Sequence, residues 1–396
     1  MRKKTLLIAG GSHSDIPLIQ AGKELGYHVV TSGNNKNDLG HKYSDEVHLE
    51  DFSDKSAMLA LSKKLNIDAV CSSSNDFSVI TSAYIAEKLG LKGQDSYDTT
   101  VKLHHKDKFK KFALEGKLLV PNSLSFNSID SVKNQLDKIK YPAIVKPIDL
   151  TGGKGISKVT NAIETLKAVK NAFKISKSKR IVIDDFVKGS LHSFSSIIRN
   201  KKVVFYFGDN EYSYLNPYLV STSTSPSLDF NNIKHLLVKQ AEKVSKLLDL
   251  TDGILHMQYL LDGCNINIIE FTRRMPGDFY HKPVKYSTGV NYATWVVKAS
   301  CGMDISNLEH ASQNGYYSRH CIMSAHKGEV SGLIFDASIE KNIIDKFLWY
   351  KTGDIIKDEM SYKAGIVFLK YESQEEMDIK STSINQLIRL EVKKSC

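Results

Sequence analysis

The chain has 396 residues, 41% hydrophobic and 25% charged, enough to bury a large core shared among two or three domains. Lys and Arg outnumber Asp and Glu by 54 to 44, a balance that favours anionic ligands such as nucleotides. The excess is spread out: the densest runs, Lys108–Lys111 and Lys177–Arg180, read as solvated faces, and nucleic acid is not expected as a partner. No apolar run approaches the roughly 20 residues of a membrane span, and "MRKKTLLIAGG" reads as a first strand rather than a leader. Five scattered cysteines without metal-ligand spacing fit reduced thiols and a cytoplasmic location.

In chain order, the apolar strand at 5–9 runs into "GGSHSD", followed by a helix over 15–26, the strand "YHVVTS", a helix over 53–65, the strand "DAVCSS" and a helix ending at Gly90. Strands alternating with helices predict a doubly wound parallel sheet over residues 1–102. Its ligand edge should lie at the strand ends, where His13 and Asn75 are candidate crevice residues. The texture then changes to a lysine-rich helix over 103–116, a helix near 129–139, the strand "AIVKP", a helix over 161–174, the strand "RIVIDDFV" and a hairpin turning at Asn200. A helix over 231–250 and two strands meeting around Asp262 and Gly263 complete an antiparallel domain of 103–311; short strands such as "GIVFL" place a small α+β segment at 312–396.

Within "YPAIVKPIDLTGGKGISKV" (Tyr141–Val159), glycines flank a lysine. A P-loop needs GxxxxGK[ST] and a Rossmann turn needs GxGxxG opening a helix, and neither is present. What remains is a flap between two strands, with Gly152, Gly153, Lys154 and Gly155 able to close backbone N–H groups over phosphates; a plain hairpin turn is the alternative. Downstream, Glu270 and Thr272 are two apart and share a strand face. A three-residue turn, Asp262 to Cys264, would set Gln258 against Ile268 and aim it the same way as Glu270. A carboxylate, an amide oxygen and a hydroxyl would then converge, a donor set suited to Mg²⁺.

Taken together, the lysine strand with its flap, the acidic strand "IVIDDFVKG" and "IIEFTRRMPGD" make the chain resemble, over nearly its whole length, an ATP-grasp enzyme. The branch is that of carboxylate–amine ligases, similar to L-amino acid ligases and carbamoyl-phosphate-synthetase-like proteins. The resemblance implies a pre-ATP-grasp domain, then a two-lobed ATP-grasp domain with its lid over about 121–188, and ATP with Mg²⁺ or Mn²⁺ as cofactors. It assigns phosphate contacts to Lys146 and Lys106, with Lys108 as the rival of Lys106, and the adenine hinge to Asp184, Asp185, Phe186 and Val187. Metal ligation falls to Gln258, Glu270 and Thr272, and catalysis to Arg274 and Lys146. The implied reaction joins a small carboxylate to an amine through an acyl phosphate, with Asp278, Arg273, Asn75 and His13 as candidate substrate contacts and a homodimer left open. A ligase for a nucleotide-sugar or phosphorylated metabolite, and a nucleotide-binding module without turnover, are the alternatives. There are three departures from the family's pattern. Asp184 and Asp185 stand where glutamate is usual, Leu191 or His192 stands where an acid for the ribose is expected, and Gln258 and Thr272 replace the commoner glutamate and asparagine.

Overall fold

The computed structural model describes residues 2–150 and 152–393. They fall into two compact units, one of residues 1–206, 231–279 and 291–310, the other of 207–230, 280–290 and 311–396.

The first unit opens with a parallel sheet in the spatial order Glu46–His48, His28–Ser32, Thr5–Ala9, Ala69–Ser72. Thr5–Ala9 is buried along its whole length, as a strand covered on both faces by helices must be, which is why it reads as an unbroken apolar run. The strand order reverses between Thr5–Ala9 and Ala69–Ser72, so the loops after these two strands flank the crevice where ligands of such sheets bind. The helix Asp76–Leu89 starts at that crevice and stops at Gly90, whose φ of 68° closes the last turn.

A second, antiparallel sheet orders Ser123–Phe126, Ile181–Asp185, Ala143–Pro147 and Ser157–Val159. The helix Ala162–Ile175 covers one face, burying Val169, Ala172 and Phe173 against Val145, Ile181 and Ile183. A third set of antiparallel strands pairs Ser190–Arg199 with Gly253–Asp262, and the latter with Asn265–Thr272. The lysine-rich helix expected over 103–116 is two helices, Tyr97–His104 and Lys106–Glu115, separated by His105 in an extended conformation. That break makes Lys106 the first residue of a new helix and sets Lys110 one turn later on its face.

In the second unit, Val220–Ser225, Tyr316–Ile322, Gly365–Tyr371 and Ile343–Leu348 form antiparallel ladders. Gly328–Phe335 pairs with Ile355–Ile356 and Ile388–Lys393, over a core that includes Ile322, Val330, Val367 and Met377. Among the described residues no helix is long and apolar enough to cross a membrane.

Candidate active site

Lys146 lies on Ala143–Pro147, and its Nζ donates to Asp184 Oδ2 on the neighbouring strand at 3.0 Å. Lys110 Nζ stands 3.5 Å from that same oxygen and has no hydrogen-bond partner. One carboxylate therefore faces two ammonium groups, with its own Oδ1 buried and unpartnered. Burial alone would raise the Asp184 carboxyl, but the charges of Lys110 and Lys146 pull it down to about 2. Burial pushes the Lys110 ammonium down, against the pull of Asp184.

Lys106 Nζ donates to Leu150 O, at the root of the flap, at 3.0 Å. Lys106, Lys110, Lys146 and Asp184 line one cavity with Glu270 and Thr272. The lysines of one sheet and helix thus share a space with the carboxylate of another sheet. Lys108 is exposed and takes no part in that lining. Lys110 was absent from the sequence-based candidates; its signal was the four-residue spacing from Lys106, which puts the two on one face of any helix that contains both.

Gln258 stands directly opposite Glu270, and His256 opposite Thr272. This corrects the expected register. The hairpin turn has two residues, with Asp262 paired to Asn265, and an irregularity between Gln258 and Tyr259 shifts the ladder so that Tyr259 meets Ile268 and Gln258 meets Glu270. The extra residue on the return strand is Ile269, and such a bulge restores the common face of Gln258, Glu270 and Thr272 by a different count. Thr272 Oγ1 is buried without a hydrogen-bond partner. Among the described residues no three His, Cys, Asp or Glu side chains cluster as a metal cage. A donor set of one carboxylate, one amide and one orphaned hydroxyl fits a cation such as Mg²⁺ that takes most of its shell from water and phosphate.

The flap joins Ala143–Pro147 to the antiparallel strand Ser157–Val159. Gly152, Gly153 and Gly155 have φ of 65°, 73° and 74°, the left-handed region that glycine enters without penalty. Gly155 is also closely packed, since a Cβ there would lie 2.9 Å from Pro147 Cγ and would have to displace the end of the Ile175 side chain. Lys154 is exposed. At the hinge, the Asp185 and Phe186 N–H groups already donate to Asn122 O and Pro142 O at 3.0 and 3.1 Å, and the Asp185 carboxylate accepts from Asn122 Nδ2. Phe186, Val187 and Lys188 line a further cavity with Leu119, Val120 and Ile266, and Lys158 Nζ sits 3.9 Å over the Phe186 ring. Of the two residues in the ribose position, His192 is buried and stacks on Tyr259 with centroids 5.3 Å apart.

The remaining candidates separate sharply. Arg274 Nε donates to Asp76 Oδ1 at 2.7 Å, and Asp76 also lines the lysine cavity. Burial would raise that carboxyl, yet Arg274 and His104 hold it well below the usual carboxylate range. His104 Nε2 accepts the Arg273 backbone N–H at 3.3 Å, which leaves the ring proton on Nδ1, 3.6 Å from Asp76. Arg273 itself turns away from the cavity, against the expectation of a substrate contact. Its guanidinium donates to Asp95 Oδ2 at 2.6 Å and to the carbonyls of Thr251 and Ile254, just past the end of the strand Asn265–Thr272. Asn75 is a helix cap, accepting from Phe77 N at 2.9 Å. His13 and Asp278 meet, Nε2 to Oδ1 at 3.0 Å, with Asp278 N donating to Ser14 Oγ at 2.8 Å. Both Asp278 and Phe279 hold φ of 55°, a strained pair of non-glycine residues beside the crevice.

Residues 105–308 match the family described as carbamoyl-phosphate synthase L chain, ATP binding domain. The chain is 22% identical over 270 residues to the carbamoyl phosphate synthase large chain of Clostridium acetobutylicum, covering 64% of this chain and 24% of that one. It spans 20–38% of the length of several such synthase chains. It is also 22% identical to the phosphoribosylamine–glycine ligase of Methanococcus maripaludis, over 68% of this chain and 67% of that one. In fold it is similar to the L-amino acid ligase of Bacillus licheniformis, with a TM-score of 0.83 and 18% identity over the whole of both chains. Phosphoribosylglycinamide synthetase of Anaerococcus prevotii has a TM-score of 0.78 and 20% identity, over 99% of this chain and 100% of that one.

Proposed function

Since the chain belongs to the carbamoyl-phosphate synthase L chain, ATP binding domain family, and so to the ATP-grasp proteins, we propose that it is an ATP-dependent ligase. It would join a small carboxylate to an amine and release ADP and phosphate. The observation that carries this is the single cavity in which Lys106, Lys110 and Lys146 face Glu270 and Thr272: cations for a triphosphate on one side, hard oxygen donors on the other.

A carboxylate at neutral pH is a poor electrophile, and transfer of the γ-phosphoryl group converts it to an acyl phosphate with a good leaving group. The lysines neutralise the phosphate oxygens, and Arg274, positioned by Asp76, presents its remaining N–H groups to charge developing on the transferred group. Gln258, Glu270 and Thr272 would hold Mg²⁺, which when bound offsets charge between the phosphates. Phe186 and the hinge backbone at Val187 and Lys188 would receive the adenine, the Asp185 and Phe186 N–H groups being already engaged. The flap would close over the phosphates and keep water from the acyl phosphate. His13 and Asp278, which meet at the crevice of the parallel sheet, would receive the amine.

The test is ADP formation by the purified chain with Mg²⁺ against paired panels of amino acids and other carboxylic acids. Turnover that requires two substrates and yields an amide supports the ligase. Turnover with only a sugar-linked or phosphorylated acid moves the assignment to that substrate class, and tight ATP binding with no turnover against any pair refutes catalysis.

A further inference from the structure

Lys110 enters the cavity one helical turn beyond Lys106, and its side chain is almost fully buried. A buried ammonium ordinarily has a good acceptor, because an unmatched charge in a low-dielectric interior is costly. Lys110 has only a loose one: its Nζ lies 3.5 Å from Asp184 Oδ2, outside good hydrogen-bond geometry, and that oxygen already accepts from Lys146 at 3.0 Å. Glu270 attracts it from across the cavity but makes no ion pair with it. Two cations thus share one carboxylate, and Asp184 Oδ1 and Thr272 Oγ1 in the same lining are buried without partners as well. Over the whole lining Lys106, Lys110 and Lys146 face Asp76, Asp184 and Glu270, but around Asp184 itself two ammonium groups meet one carboxylate, and an anion with several oxygens would use the donor capacity left over.

We propose that Lys110 is a third phosphate-binding cation of this site, beside Lys106 and Lys146, and that Asp184 is the counter-ion both buried lysines exchange for phosphate oxygens. The short Asp184 side chain suits that exchange, since it holds two ammonium groups without a full set of hydrogen bonds to either. This deepens the nucleotide assignment of the cavity and does not depend on ligation.

The test measures the affinity of a non-hydrolysable ATP analogue with Mg²⁺ by titration calorimetry. It compares the full chain with Lys110→Met, Asp184→Asn and the double variant. Loss of a charge-assisted hydrogen bond should weaken Lys110→Met by about 10- to 100-fold. The same loss should separate the double variant from Asp184→Asn alone. If Lys110 served only to neutralise Asp184, removing it after Asp184→Asn would cost no affinity, and that result overturns the proposal. Affinity of Lys110→Met within about twofold of the parent overturns it too. Should Lys110→Met fail to fold, the pair lacking the Asp184 charge still decides. A parent chain that binds no analogue refutes the nucleotide assignment itself, whereas absence of amide formation leaves these affinities untouched and refutes only the ligase.

Discussion

Arg273 and Lys110 are both buried cations within the same compact unit, yet their surroundings are opposites. Around Arg273 every interaction closes: Asp95 takes Nε, backbone carbonyls of Thr251 and Ile254 take the terminal nitrogens, and Asp95 Oδ1 also accepts from Thr251 N and Oγ1. Around Lys110 two ammonium groups divide one carboxylate, and buried polar atoms are left without partners. A cluster whose task is to hold the fold is complete by itself, because any orphaned charge subtracts from stability. A cluster that receives a charged ligand keeps capacity in hand and carries the strain of doing so. The comparison therefore predicts that damage to the first appears as lost stability and damage to the second as lost binding and turnover.

The largest expected effect is on the closed cluster. Asp95→Asn should destabilise the chain by about 3–5 kcal/mol, since it leaves Arg273 buried without its counter-charge. Chemical denaturation reads the loss, and the fraction still folded should bind an ATP analogue within about threefold of the parent. A stable variant with weakened nucleotide binding would abolish the distinction between the two clusters. Next comes Lys146→Met, for which ADP formation should fall about 10²- to 10³-fold, the scale on which a single charge-stabilising donor acts. Its loss of stability should be smaller than that of Asp95→Asn, because Asp184 keeps Lys110 as a counter-charge.

The pH dependence of stability sharpens the same contrast. Asp184 is held at about 2, below the 3.8 of an unperturbed aspartate, so the unfolded chain takes up its proton first as the solution is acidified. The stabilisation is complete above about pH 4 and is lost as the pH falls through about 2, an amount of about 2 kcal/mol. Urea unfolding between pH 5 and 2 should show this loss in the parent and lack it in Asp184→Asn. Equal slopes in the two proteins would remove Asp184 from the charge balance.

Much of this site was legible because strand and helix periods survive in sequence. "AIVKP", the glycine flap, "IVIDD" and "IIEFT" appear as the strands and loop they were read to be, and alternation places Glu270 and Thr272 on one face. Arg273, one residue past the strand, is instead taken up by Asp95. What the sequence concealed were insertions and breaks of a single residue. The irregularity opposite Gln258 changes the ladder count without changing which side chains converge. The extended His105 ends one helix and starts the next at Lys106, where Lys110, rather than Lys108, shares its face. The meeting of His13 with Asp278, 265 positions apart, is a property of chain packing with no local signature.

The smallest effects settle the lysine helix. Lys106 donates to Leu150 O beside the flap and lines the cavity, while Lys108, two residues on, projects from the other side of the helix into solvent. Lys106→Ala should weaken the ATP analogue about tenfold, the value of one charge-assisted contact at a half-exposed position. Lys108→Ala should leave both affinity and stability within about 0.5 kcal/mol of the parent, as surface substitutions do. Because the two residues share one helix and one charge, general electrostatic attraction would make both variants lose affinity alike, and raising the salt concentration would then remove both losses. A loss confined to Lys106→Ala and persisting in salt would mean that the ammonium touches the ligand. Equal losses would mean that the helix acts on the nucleotide only as a diffuse positive surface, and the phosphate role of its first turn would have to be given up.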